Sequence, residues 1–196
     1  DNDVIYVSSI GDDRSDGTRK KPVKSLERAL EIARASGRTI IFLGTGEYLI
    51  NETLKINQDI SFRGGFSSEW QEKGGTTRIV GGSVAEDGAP IMRLQASETN
   101  FENLHIDRPS TKWRSIFDFS ESRVSITNCR LTVGRNSMAM KGNDGSLTIT
   151  DSKIVFDSPG NTSLLQLENV EASMLNSSIH KSSEIQESSS PLRQNS

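Results

Sequence analysis

The run STKWRS near the middle of the chain carries residue types suited to binding chemistry. Trp113 stands between Lys112 and Arg114, and an aromatic ring with adjacent cations suits an acidic sugar or a carboxylate-bearing partner. Arg93 and Asp118 are expected beside this loop on neighbouring strands, about 4.8 Å apart. We therefore predict a binding surface of Trp113, Lys112, Arg114, Asp118 and Arg93. In the alternative interpretation, Trp113 covers a core edge, and Arg93 pairs with Asp118 in an ordinary surface salt bridge.

Residues that would do catalysis or bind metal are sparse. One outward column of the predicted strands consists of Arg93, Asp118, Ala139 and Gln166. That column supplies a single carboxylate, and a second would have to come from a flanking turn, from Asp107 or Glu121. A glycoside hydrolase needs two carboxylates at a defined separation, and a calcium site needs several oxygen ligands. We therefore name no catalytic residue and no metal ligand, and we expect no cofactor, with calcium as the weaker alternative.

Two further groups of polar residues are better explained without a metal. The run DDRSDG, from Asp12 to Gly17, resembles part of a calcium loop. Its spacing and the missing distal Glu do not match an EF-hand, so an Asp/Gly-rich turn is favoured. His105 and His180 are too few for a zinc site by themselves.

A repeated phrase determines where these residues lie. NFENLHIDR, SITNCRLTV, TITDSKIVF and SMLNSSIHK align on Asn103, Asn128, Asp151 and Asn176, at intervals of 25, 23 and 25 residues. Apolar residues stand two positions before and three positions after each anchor. An apolar pair precedes each anchor by nine to thirteen positions: Met92 and Leu94, Phe117 and Phe119, Met138 and Met140, Leu165 and Leu167. Such fixed-period similarity indicates a repeat architecture.

The local pattern inside each unit predicts the fold. Apolar and polar residues alternate, which indicates strands rather than helices. Three short strands in 23–25 residues describe one coil of a right-handed parallel β-helix. Asn and Asp tolerate the left-handed backbone of a sharp bend, so the anchors are expected to stack as a turn ladder. Weaker copies place Gly64 and Gly81 at the anchor position, which gives about six or seven coils in all.

Three cationic side chains share one position of the repeat. His105, Arg130 and Lys153 each lie two residues after an anchor, so they should form an outward column. This cationic column suits an anionic glycan, and an ordinary solvated face is the alternative.

Bulk composition excludes several classes of function. The net charge of −3 gives no reason to expect nucleic acid as a partner, and no apolar run is long enough to cross a membrane. The basic cluster at 19–24 is offset by nearby acids and is interpreted as a solvated turn. Trp70 is interpreted as packing, and Cys129, the single cysteine, as a buried inert thiol.

The first fifty residues combine with the repeats into a family resemblance. The stretch IYVSSIGDDRSDGTRKKPVKSLERALEIA is followed by TIIFLGTGEYLI, and then by ISFRGGFSSEW and TRIVGG. Together they resemble the opening of bacterial exported β-helix proteins of the pectin-lyase-like superfamily. The resemblance implies that a helix at about 25–35 caps the first coil and hides an otherwise unpaired edge. We expect one β-helix domain over 1–181 and a Ser-rich tail or linker over 182–196.

The superfamily hosts lyases, hydrolases and proteins without known activity, so the fold does not give the function. The sequence favours a non-catalytic extracellular, periplasmic or cell-surface module of a bacterium, structural or binding, with a polysaccharide or a surface protein as partner. The alternative is a carbohydrate-active enzyme, a lyase or hydrolase that acts on acidic polysaccharide.

Overall fold

The computed structural model describes residues 3–72, 74–82, 88–108, 113–135, 137–157 and 164–182. Within these ranges lie one helix and fifteen strands, which wind into a parallel β-solenoid of about five turns. The strands are β1 Val4–Val7, β2 Ile40–Gly44, β3 Gly46–Ile50, β4 Leu54–Ile56, β5 Ile60–Phe66, β6 Thr77–Gly81, β7 Ala89–Gln95, β8 Glu98–Glu102, β9 His105–Arg108, β10 Trp113–Thr127, β11 Arg130–Val133, β12 Met138–Thr150, β13 Lys153–Phe156, β14 Leu165–Leu175 and β15 Ser178–Lys181. The predicted parallel β-helix is confirmed.

Each coil of the solenoid has three sides. Side one stacks β1, β2, β5 and β8 with the second halves of β10, β12 and β14. Side two stacks β3, β6, β9, β11, β13 and β15. Side three stacks β4 and β7 with the first halves of β10, β12 and β14. Every one of these strand pairs is parallel, as expected for successive coils of one chain.

The core lies inside the three sides, where equivalent side chains stack on successive coils. The rings of Phe62 and Phe101 are parallel, with their centroids 5.2 Å apart. Ile126 and Ile149 are register partners and at most 2% exposed, and Leu131 and Ile154 form a second buried pair. Each such side chain stabilises the fold by about 1.5–3 kcal/mol through burial of apolar area.

The N-terminal end is closed by the predicted helix. Helix α1 spans Leu26–Ser36, and the Ser25 side chain accepts a hydrogen bond from the Arg28 backbone N–H at its start. Gly37 ends the helix with φ of 73°, a left-handed cap that glycine adopts without strain. The apolar face of α1 packs on the first coil, so the helix covers that end of the core.

Two of the three corners of a coil use left-handed residues. Between sides one and two stand the predicted anchors, with φ of 57° at Asn103 and 48–50° at Asn128, Asp151 and Asn176. Between sides three and one stands a second set that the sequence did not reveal: Ala96, Glu121, Asp144 and Asn169, with φ from 48° to 55°. This second set lets β10, β12 and β14 turn a corner without a break in hydrogen bonding.

Two register assignments differ from the sequence prediction on side three. Phe117 pairs with Met140 and Phe119 with Gly142, so the third apolar pair is shifted by two residues from the predicted Met138 and Met140. The aromatic ring of Phe119 fills the space above Gly142, where an added Cβ would lie 2.2 Å from Cζ. A glycine therefore occupies a position that the repeat pattern predicts to be apolar.

The same shift changes the outward column of side three. Ala139 is buried and is not a member of the column, whereas Lys141 pairs with Asp118 and with Gln166. The column therefore runs Lys55, Arg93, Asp118, Lys141 and Gln166.

The two weaker glycine copies belong to one coil. Phe62 pairs with Phe101, which sets Gly64 opposite Asn103 as predicted, although the left-handed residue is Gly65. Ile79, in contrast, pairs with Ile106 on side two, so Gly81 is not an anchor. The insertion 67–76 between these two strands disguises the spacing, and this is one reason why the coil count is below six or seven.

The last described coil leaves apolar side chains uncovered. Met174, Leu175 and Ile179 are 39%, 61% and 43% exposed. Of the predicted tail at 182–196, residues 183–196 lie outside the described residues. No helix within the described ranges is long and apolar enough to span a membrane.

Candidate functional site

The binding surface predicted from the sequence lies on side three. Arg93 and Asp118 are register partners on β7 and β10, so they lie on neighbouring coils as predicted. Arg114 Nη2 donates to Asp118 Oδ2 at 3.3 Å. Trp113 is the first residue of β10, and Lys112 lies outside the described residues. The structure therefore brings Arg93, Arg114 and Asp118 together.

Asp118 is bonded to residues of its own strand rather than to Arg93. Ser115 Oγ donates to its Oδ1 at 2.5 Å, in addition to the contact from Arg114. Within the described residues Arg93 forms no ion pair, so the alternative pairing of Arg93 with Asp118 is not present. Lys141 follows Asp118 in the column, so this one carboxylate lies between two cations, Arg93 and Lys141.

The turn ladder forms one wall of an open groove. The backbone N–H of Asn103 donates to Thr127 on the next coil, and that of Asn128 donates to Thr150, at 3.2 and 3.0 Å. The Asn128 Nδ2 also donates to Asn103 Oδ1 at 2.7 Å. These bonds continue the sheet hydrogen bonding around the corner and leave a row of amide and carboxylate groups at the surface.

The predicted cationic column lies directly beside the ladder. Arg130 pairs in register with His105 on one side and with Lys153 on the other. Ladder and column together line a groove of about 520 Å³, which we call the ladder groove. Its N-terminal end is formed by the insertion, with Glu72 and Gly74–Thr77. Arg130 and Lys153 are exposed and form no ion pair within the described part of the chain.

A buried acid tethers Arg78 and His105 on side two. Asp107 contacts the guanidinium of Arg78, and its Oδ1 lies 2.7 Å from His105 Nε2. Arg78 also bonds Glu47 Oε2 at 2.9 Å. Burial raises the pKa of the Asp107 carboxyl, but hydrogen bonds from His105, Arg78 and Thr132 outweigh burial and lower that pKa to about 2. Asp107 is therefore ionised at neutral pH.

This cluster does not have the geometry of a nucleophilic triad. A triad joins the acid to one imidazole nitrogen and the nucleophile to the other. Here Asp107 Oδ1 and Thr132 Oγ1 both lie near Nε2 of His105, at 2.7 and 3.0 Å. The carboxylate and the hydroxyl thus share one nitrogen of the ring instead of lying at opposite nitrogens, which is not the arrangement of a triad.

Arg108 was missed by the sequence analysis. It takes an inward register position opposite Val133, is 1% exposed, and its Nε, Nη1 and Nη2 have no hydrogen-bond partner among the residues that the structure describes. Burial lowers its pKa to about 10. The strand alternation predicts this inward position, but no sequence signal shows that the charge stays unpaired.

The remaining candidates agree with their structural interpretations. Cys129 is buried, and burial raises its thiol pKa to about 12, so thiolate chemistry is suppressed. Asp12 bonds Arg14, Asp13 accepts from the Ser25 backbone N–H, and the run DDRSDG is thus satisfied locally. Within the described ranges no group of three His, Cys, Asp or Glu side chains could hold a metal ion.

Comparison with known proteins gives a family but not an activity. A solved structure of a rhamnogalacturonan lyase is similar at 13% sequence identity, with a TM-score of 0.45 over 91% of this chain. The chain spans only 55% of that lyase. No curated protein matches the chain. Over residues 9–162 the sequence matches the family described as protein of unknown function (DUF1565), and the chain belongs to this family.

Proposed function

We propose that this protein is a non-catalytic, extracellular or cell-surface β-helix of a bacterium that binds an acidic polysaccharide along the ladder groove. The shape and the lining of the groove are the main observation in support of this proposal. It runs across successive coils, so that it offers the cations Arg130 and Lys153 on neighbouring coils, about 4.8 Å apart, with one ladder side chain per coil beside them. A linear polymer with a repeated carboxylate matches such a repeated row of donors better than a compact ligand does.

Two properties of the groove support binding rather than mere solvation. Arg130 and Lys153 are free of ion pairs within the described residues, so a ligand carboxylate would not have to displace an existing partner. The ladder amides add hydrogen-bond donors and acceptors for sugar hydroxyls. Charge-assisted hydrogen bonds to a carboxylate are roughly twice as strong as neutral ones.

Titration calorimetry with polygalacturonate, and with a neutral galactan of equal length, tests the proposal. We expect binding of the acidic polymer alone, which weakens as salt screens the charges. The double variant Arg130→Gln/Lys153→Gln should weaken binding about tenfold or more, equivalent to about 1.4 kcal/mol. The matched control Lys55→Gln/Lys141→Gln removes the same charge from side three and should leave binding unchanged.

The same experiment decides between this groove and the surface predicted from the sequence. If Arg93→Gln/Arg114→Gln weakens binding and Arg130→Gln/Lys153→Gln does not, the polymer binds on side three beside Trp113. Release of unsaturated or reducing sugar ends from the polymer would instead assign the protein to the carbohydrate-active enzymes. Equal binding of the neutral galactan would contradict the charge-based recognition.

A further inference from the structure

A second cavity lies at the N-terminal end of the same line of corners, beyond the insertion that ends the ladder groove. It has a volume of about 640 Å³, within the range of about 300–1,000 Å³ typical of small-molecule sites. The loop that precedes α1 forms one wall, Ser67, Ser68 and Trp70 form the other, and Gly44 and Thr45 lie between them. We call it the basic pocket.

The two walls of the basic pocket are held together without a ligand. Trp70 Nε1 donates to the backbone oxygen of Arg19 at 3.1 Å, and Arg19 Nη2 donates to the backbone oxygen of Glu69 at 2.8 Å. The Trp70 ring also packs edge-on against Tyr6, with centroids 4.7 Å apart. A preformed site loses less free energy in ordering when it binds, so this pocket is suited to a small ligand.

Trp70 adopts an uncommon backbone conformation in a turn, where its backbone N–H donates to the Ser67 carbonyl at 2.9 Å. Its φ is 61°, in the left-handed region that bulky residues rarely adopt. Such outliers cluster at ligand-binding and catalytic positions, where the surrounding structure maintains them. The strained turn sets the indole at the mouth of the cavity, against the first loop.

The lining of the basic pocket has a positive net charge, because it contains three basic side chains and one acidic one. Lys20 and Lys21 line the cavity, are exposed, and form no ion pair within the described residues. Asp12 also lines it, but its carboxylate accepts three hydrogen bonds from the Arg14 guanidinium, at 2.7, 3.1 and 3.1 Å. Lys21 interacts electrostatically with Asp16, which does not line the cavity.

Free hydroxyls complete the set of polar groups. The side chains of Ser8, Ser15 and Ser68 line the cavity and make no hydrogen bond within the part of the chain that the structure describes. Hydroxyl groups both donate and accept, which is what the hydroxyls of a sugar require. Two lysines without an ion pair within the described residues, three serine hydroxyls and an aromatic wall thus line one preformed cavity.

We infer that the basic pocket binds a compact acidic sugar, a mono- or disaccharide whose carboxylate faces Lys20 and Lys21 and whose hydroxyls meet the serines. The insertion separates this site from the ladder groove, so the pocket suits the end of a chain or a free small sugar. This site does not depend on the proposed function, because its residues are distinct from those of the ladder groove.

Chemical-shift mapping of the ¹⁵N-labelled protein with digalacturonate tests this assignment. We expect saturable shifts of the amides in 8–21 and 67–70 and of the Trp70 indole N–H, with little change for neutral digalactose. Lys20→Gln/Lys21→Gln should weaken digalacturonate binding about tenfold or more. The control pair Lys24→Gln/Lys55→Gln removes equal charge outside the pocket and should bind as the unchanged protein does.

Three outcomes would overturn the inference. Shifts confined to the ladder groove would leave the polymer proposal standing and remove this site. Saturation by sodium sulfate alone, with equal affinity and the same shifts, would make the pocket an anion site rather than a sugar site. Unchanged binding in Lys20→Gln/Lys21→Gln would exclude the two ammonium groups as ligands of the carboxylate.

Persistence of the pocket shifts in Arg130→Gln/Lys153→Gln would show that the two sites are separate.

Discussion

Arg108 places inside the solenoid a charged group that has no hydrogen-bond partner among the described residues. A buried polar group without a partner costs about 1–3 kcal/mol, and a charged group costs more. The lowered pKa of about 10 still leaves the guanidinium protonated at neutral pH. The structure therefore carries a local cost at this residue, which neighbouring contacts must offset.

Replacement of this side chain by an apolar one of similar length should stabilise the protein. For Arg108→Met we expect a gain of about 1–3 kcal/mol in the free energy of unfolding, because the desolvation cost disappears and the volume remains filled. Urea unfolding at pH 7 measures it. Arg108→Lys keeps a buried charge and should give no gain, and Arg114→Met on the surface should change stability by less than about 0.5 kcal/mol. A loss on Arg108→Met would mean that the guanidinium binds an anion in solution.

Of the two sets of left-handed corner residues, only one could be predicted from the sequence. The first ladder was predicted because Asn or Asp recurs at Asn103 and its equivalents, and these residues favour the left-handed region. The second ladder was missed because Ala96 and Glu121 have no such preference. At those corners the stacked hydrogen bonds impose the conformation, for example between the Ala96 N–H and the Ser120 carbonyl at 3.1 Å. Tertiary pairing, rather than local propensity, makes the bend there.

Two substitutions at Asn128 separate the backbone requirement of a corner from its side-chain bond. Asn128→Val should cost about 1–3 kcal/mol, because a β-branched residue resists φ of 50°. Asn128→Gly adopts that φ freely and loses only the exposed bond to Asn103, so it should cost about 1 kcal/mol or less. Thermal or urea unfolding of both variants measures the difference. Equal losses would show that the amide bond, and not the backbone, is the requirement.

For the molecule as a whole, the sequence predicted the stack but not all of its register. Repetition of one phrase was enough for the parallel β-helix, and the resemblance of the N-terminal segment supplied the cap. Two features interrupt the repeat pattern. At Gly142 the apolar side chain is missing, and the ring of Phe119 fills its space; the insertion at 67–76 changes the spacing between β5 and β6. The basic pocket was missed for a related reason: the cations at 19–21 and Trp70 lie fifty residues apart, and only the fold brings them together.

Stability of a stacked solenoid is the sum of its coils and their interfaces, and Asp107 ties several coils together. Through Arg78 and Glu47 it links β9 with β6 and β3, and its own pKa is lowered to about 2 although burial opposes this. Because the folded pKa lies below the unfolded value of about 4, this contribution is present above pH 4 and is lost as the pH falls toward 2.

We therefore expect the free energy of unfolding of Asp107→Asn at pH 7 to be about 2 kcal/mol lower than that of the unchanged protein. This gap in unfolding free energy should close between pH 4 and pH 2. Urea unfolding at pH 7, 4, 3 and 2 measures that gap. The control Asp157→Asn removes an exposed carboxylate that has no ion pair within the described residues, and it should show little gap at any pH. A constant gap for Asp107→Asn down to pH 2 would mean that side-chain shape, and not the charge of the carboxylate, holds these coils together.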